Sequence, residues 1–206
     1  MEELNLMLNT NEDDDIYTAT IKSFLQRRIL ILNQEITDDI VEMFSLQLIR
    51  WNAEDIGLPV ENRKKIIIVN NSPGGDCFNG WNLIDIIKTI TTPVVCVCLG
   101  LTASMAYHVA LACDERYAFE NSVLLQHDGS IAISSTSSKA KDTMAHFAKA
   151  DERTKKFVLK HTKMDEDFYD RHYDQEYYMF ADEAKEMGCI DGVIGEDISL
   201  DEIFDR

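Results

Sequence analysis

Three segments of this chain carry side chains or bare backbone that could do chemistry. Gly74-Gly75 follows Asn71-Ser72-Pro73 at the end of a β-branched run, Lys65 to Val69. Glycines there permit backbone conformations closed to other residues and leave their N–H groups open to a ligand. Ser104 stands where the apolar run Val94 to Leu99 passes through Gly100 into an Ala/Met-rich segment, Ala103 to Ala112. A strand-to-helix junction puts its hydroxyl beside free N–H groups and the positive end of a helix dipole, which suits a nucleophile and equally suits an N-cap serine. An oxyanion formed by attack there could be held by the N–H groups of Met105 and Gly75, donors of a kind worth about 3 to 4 kcal/mol each. His127 follows Val123 to Gln126 and precedes Asp128-Gly129, so it projects from a strand end into a turn, a common place for a general base.

The other candidates are weaker. His108, His146, His161 and His172 read as surface or satisfied core histidines. His172 and Glu176 are spaced i, i+4 but lack a third ligand in phase, so they make no zinc motif. Cys96 and Cys98 are spaced C-x-C inside an apolar run and read as small buried hydrophobes. No metal or cofactor is expected.

Elements must bring these segments together. Arg28 to Leu32, Lys65 to Val69 and Val94 to Leu99 read as buried strands. Helices are expected from Asp38 through Trp51, from about Asp76 to Lys88, and from Ala103 to Ala112. Strand, turn and helix recur, which argues for an α/β fold with parallel strands. Arg116 to Phe119 and Val123 to Gln126 are two more strand candidates. The polar turn Ser134 to Ser138 can cap a long amphipathic helix running to about His161, with Ala140, Met144, Phe147 and Ala148 on one stripe. Asp165 to Tyr178 is acidic and aromatic, and Asp182 to Gly188 reads as a short helix closed by glycine.

A length of 206 residues fits one domain burying roughly 70% of its unfolded surface. Residues 1–15 end in an acidic run and read as a flexible arm, so the domain is expected over 16–206. The net charge of −17 argues against binding phosphate backbones and hence against nucleic acid as partner. No apolar stretch reaches the ~18 residues of a membrane span. Five cysteines lying mostly in apolar segments, with no secretory leader, point to a reducing cytoplasm.

Together the segments resemble the Clp protease proteolytic subunit (ClpP) family, over about Ile16 to Gly195. Four ordered blocks carry the likeness: Asn71 to Gly75, Gly100 to Met105, Asn121 to His127, and Ala181 to Ala184 with Gly188 to Asp191. The resemblance implies a crotonase-like spiral of ββα units in a single α/β domain, with Ser138 to His161 as a long handle helix. It implies a serine endopeptidase in which Ser104 attacks, His127 moves the proton, and Gly75 and Met105 form the oxyanion hole. Ungapped anchoring on Ala181 to Ala184 puts Glu176 at the family's third triad position, with Asp174 the nearest substitute. It also implies a homo-oligomer of two stacked seven-membered rings that degrades unfolded polypeptides supplied by a hexameric AAA+ ATPase; this sequence has no nucleotide-binding loop of its own. Departures are Ala106-Tyr107 in place of a Gly-Ala pair, with Tyr107 expected to add bulk near the site, and Ile67 and Val69 where the family has tyrosines at the ATPase docking pocket. Two alternatives stand beside this reading: a catalytically idle ring subunit, and a crotonase-class acyl-CoA enzyme.

Overall fold

The computed structural model describes residues 15–204 as one mixed α/β domain. Its framework is a seven-stranded sheet. β1 (Ile29–Leu32), β2 (Ile66–Ser72), β3 (Val94–Ala103), β4 (Glu115–Phe119) and β7 (Gly192–Ile194) run in that order, all parallel. β5 (Val123–Gln126) pairs parallel with the far end of β3, and β6 (Tyr177–Phe180) pairs antiparallel with β5. The β-branched and aliphatic runs form the central strands because both faces are covered, as parallel sheets require. The first five residues of β3 are all buried.

β3 is the strand that makes the site. Its first half pairs with β4 (Val95↔Glu115 to Cys98↔Ala118) and its second half with β5 (Leu101↔Val123 to Ala103↔Leu125). The change of partner falls at Gly100, whose φ of +44° puts it in the left-handed region. There a Cβ would lie 2.6 Å from Asn71 Oδ1, the atom that accepts from Leu101 N–H at 3.0 Å.

One sheet face packs on α2 (Asp38–Glu54), α3 (Cys77–Thr89) and α4 (Met105–Ala112) in the larger core, with Phe44, Leu48, Ile68 and Leu83. All eight residues of α4 are buried, as a helix apolar all round demands. The other face holds a smaller cluster, including Ile67, Val95, Val97 and Ile203, covered by Phe24 of α1 (Ile16–Gln26) and Phe204 of α8 (Leu200–Phe204). α5 (Ser137–His161) has 25 residues, about 37 Å of helix, and only Val158 is buried. α6 (Glu166–His172) and α7 (Ala181–Glu186) complete the chain.

Several expectations change. The helix after Ser104 begins at Met105, because β3 continues through Ala103 to pair with β5. Asp165 to Tyr178 divides into α6 and the start of β6, and α1 was not read from the sequence. Of the expected arm, residues 1–14 lie outside the described residues, while Asp15 N-caps α1 by accepting from Thr18 N–H at 2.9 Å.

Candidate active site

Ser104 occupies the turn between β3 and α4 with φ +53° and ψ −125°. It is one of two described non-glycine residues at positive φ, a conformation that costs on the order of 1–3 kcal/mol and persists where its surroundings over-determine it. Those surroundings are visible. Ser104 N–H donates to Leu125 O at 2.9 Å, and Ser104 O accepts from His108 N–H at 3.2 Å. An N-cap serine has extended backbone and a hydroxyl bonded to the first turn; Ser104 has neither, and its side chain makes no capping bond. The hydroxyl is therefore left for something other than the helix.

The bond to Leu125 brings in the histidine. β5 ends at Gln126, so His127 follows directly at the rim where Ser104 sits. Both line one cavity of about 180 Å³ between α3, α4 and α5, walled by Trp81, Met144 and Phe147 among others. His127 Nδ1 lies 3.5 Å from Glu176 Oε1, and the second oxygen of Glu176 accepts from Tyr178 OH at 2.6 Å. Glu176 remains 56% exposed, so this pairing is open to solvent. Asp174 is exposed, and among the described residues no ion pair joins it to His127. No hydrogen bond joins Ser104 to His127 among the described residues; such bonds are often loose without substrate and tighten when it binds.

The glycine turn reaches the same point. Ile36 N–H donates to Gly74 O at 2.7 Å and Asp76 N–H donates to Ile36 O at 3.0 Å, fixing the turn from both sides. Gly74 and Gly75 have φ of +100° and +145°. A Cβ on Gly74 would meet Ser104 Cβ at 2.7 Å and Met105 N at 2.9 Å, so only glycine lets this turn lie against the Ser104 elbow. The Gly75 N–H has no acceptor among the described residues, and Met105 opens α4, where N–H groups lack intrahelical partners.

Two expectations are corrected here. Tyr107 does not crowd the site: it is fully buried in the core, its hydroxyl 3.3 Å from Cys189 Sγ, and burial pushes its pKa well up. His108 is not a satisfied core histidine. It is 6% exposed, lines the same cavity as Ser104, and neither ring nitrogen has a partner. Leaving a buried polar atom unpaired costs about 1–3 kcal/mol. Burial, and after it the nearby His127, lowers the His108 pKa to about 4. The signal that could have found it is its spacing of four from Ser104, which puts it in the first turn of the helix that the serine precedes.

Cys96 and Cys98 are fully buried, their thiol pKa values pushed well up. No group of three His, Cys, Asp or Glu among the described residues is placed to hold a metal ion, and no described helix is long and apolar enough to cross a membrane.

Known proteins resemble this chain over most of its length. The Clp protease family profile matches residues 11–197. The ATP-dependent Clp protease proteolytic subunit 2 of Bacillus licheniformis is 29% identical over 182 residues, 87% of this chain and 90% of that protein. The ATP-dependent Clp protease proteolytic subunit 1 of Bacillus cereus is likewise 29% identical over 182 residues, 87% of this chain and 89% of its own length. With a profile match spanning most of the chain, a sheet that delivers a strained serine and a histidine to one cavity, and a glycine turn laid against that serine, this chain belongs to the Clp protease family of serine endopeptidases.

Proposed function

We propose that Ser104 is the nucleophile with which this proteolytic subunit cleaves unfolded polypeptides, with His127 as general base and Glu176 orienting it. Ser104 Oγ attacks the peptide carbonyl carbon while His127 Nε2 takes the hydroxyl proton. The N–H groups of Gly75 and Met105 hold the resulting oxyanion. Collapse breaks the C–N bond, and His127 returns the proton to the leaving amine. Water, deprotonated in turn by His127, then releases the acyl group. Glu176 accepts from His127 Nδ1–H, which keeps Nε2 unprotonated and facing Ser104.

The observation that carries this reading is the Ser104 elbow, strained, uncapped and tied to Leu125 two residues before His127. Ser104→Ala should lower kcat for a short fluorogenic peptide by about 10³-fold or more with assembly size unchanged. Undiminished turnover by the purified variant overturns the assignment.

A second reading, an idle ring subunit, is favoured by the missing Ser104–His127 bond and the exposure of Glu176. Covalent labelling of Ser104 by a fluorophosphonate decides against it. Family membership leaves the acyl-CoA reading without support.

The assembly we assign is two stacked rings of seven, with α5 as the handle between rings. Two features support it: α5 buries one residue of 25, and α2 exposes Met43, Leu46 and Ile49 along its outer face. A hexameric AAA+ ATPase would supply unfolded chains. Five free cysteines suit a cytoplasmic setting.

A further inference from the structure

We propose that His108 is the specificity-determining floor of the substrate side-chain pocket, and that it selects a neutral carboxamide side chain, glutamine above all, at the residue whose carbonyl Ser104 attacks. The inference rests on the reading of Ser104 as nucleophile.

Ser104, in the turn before α4, and His108, in the first turn of that helix, are joined by the backbone bond from His108 N–H to Ser104 O at 3.2 Å. Both line the same cavity, so a side chain entering beside the Ser104 hydroxyl shares that space with His108. The ring is held by its neighbours. Trp81 lies parallel to it at 6.5 Å and 12°, Phe157 meets it edge-on at 6.5 Å and 82°, and Tyr107 is tilted against it at 5.5 Å. These contacts fix the plane of the imidazole and satisfy neither nitrogen. Buried polar atoms without partners are rare in native proteins, and a cavity-lining ring that carries two of them marks where a ligand can supply a missing bond.

The ligand's chemistry follows from the protonation state. A ring buried this way is neutral at pH 7, its pKa lowered to about 4, and offers one N–H donor and one bare nitrogen acceptor. A carboxamide is complementary to whichever nitrogen it meets, since its oxygen accepts from the N–H and its NH₂ donates to the bare nitrogen. The remaining wall is largely apolar, including Trp81, Met144 and Phe147, and suits the two methylenes that precede the amide in glutamine. Methionine has similar length but nothing to donate, so it would leave the imidazole unsatisfied. Sites built to hydrogen-bond a substrate reject analogues lacking the group more strongly than apolar pockets reject a missing methylene. Asp128 and Asp151 also line the cavity and offer the competing preference, a basic side chain.

The test uses the full chain in its assembled state and fluorogenic peptides differing only at the residue before the scissile bond: Gln, Met, Glu or Lys. In the wild type kcat/KM should be highest for Gln. His108→Phe should lower the Gln-to-Met ratio by about 10-fold or more, and His108→Gln, which keeps a donor and an acceptor, should hold it within about 3-fold. A wild type that prefers Met, a ratio unmoved by His108→Phe, or a Lys preference that survives it overturns the inference. If His108→Phe fails to assemble, His108→Leu against His108→Gln provides the same comparison. Fluorophosphonate labelling of Ser104 separates the two levels: labelling with no Gln preference defeats the pocket assignment alone, and no labelling with no turnover defeats the nucleophile assignment and this inference with it.

Discussion

Glu176 is the residue on which the catalytic assignment turns. Its side chain is one methylene longer than the aspartate the resemblance implies at this position, about 1.5 Å of extra reach. The structure accommodates that length by turning the carboxylate between two partners, His127 Nδ1 at 3.5 Å and Tyr178 OH at 2.6 Å. Tyr178 therefore competes for the carboxylate and also anchors it. Glu176→Gln keeps the shape but removes the charge that stabilises an imidazolium, so kcat should fall by about 100-fold or more, while Asp174→Asn should change it by less than about 3-fold. Steady-state kinetics of the two variants checks the order. The reverse order would make Asp174 the third member, reached by a movement of the 173–176 segment.

Among the elements, the decisive contact is between the glycine turn and the β3–α4 elbow. Gly74 sits so close to Ser104 and Met105 that any side chain must push backbone, and at φ +100° it is strained besides. Gly74→Ala should therefore separate the Gly75 N–H from the Met105 N–H, lowering kcat by about 10²-fold or more for the loss of one aligned donor. Stability should fall by about 1–3 kcal/mol, read from urea unfolding. Loss of stability without loss of kcat would remove the turn from the catalytic machinery. Elsewhere elements account for a feature that resembles a site. Lys88, Lys160 and Lys185, with Arg116, line an open concavity of about 610 Å³. Those lysines stand in the last turns of α3, α5 and α7, where the carbonyl ends of the helices attract positive charge, and Arg116 donates to His161 O at 3.0 Å.

For the whole molecule the question is what covers its exposed apolar surface. Met43, Leu46 and Ile49 on α2 are 45%, 58% and 52% exposed, and α5 projects with Met144 half exposed. A chain of 23.5 kDa should accordingly give a light-scattering mass many times that value. Leu46→Asp, which places a charge in the middle of the α2 row, should shift the mass to smaller species. Subunits each carrying −17 repel one another, so raising salt should favour the large assembly by screening. A monomer at micromolar concentration in both low and high salt would count against a closed chamber.

Much of this was legible from residue order alone. The runs Lys65 to Val69 and Val94 to Leu99 read as buried strands, and the polar turn Ser134 to Ser138 marked the start of the long helix to His161. Ser104, His127 and the glycine pair stood out because each lies where one kind of periodicity gives way to another. Three things needed the tertiary structure. The switch of β3 from β4 to β5 brings Ser104 beside His127, and no local pattern encodes which strand the far end of β3 will pair with. β6 was hidden because its pairing with β5 is long-range and its four residues show no clean alternation in burial. The contrasting fates of Tyr107 and His108, neighbours on one helix, follow from rotation about the α4 axis: the Tyr107 hydroxyl meets Cys189 in the core, while His108 lines the cavity of Ser104. Sequence determined which residues had the chemistry, because residue type and local punctuation are short-range properties. The packing of α4 between sheet and cavity decided which of them face one another, because that depends on contacts between segments far apart in the chain.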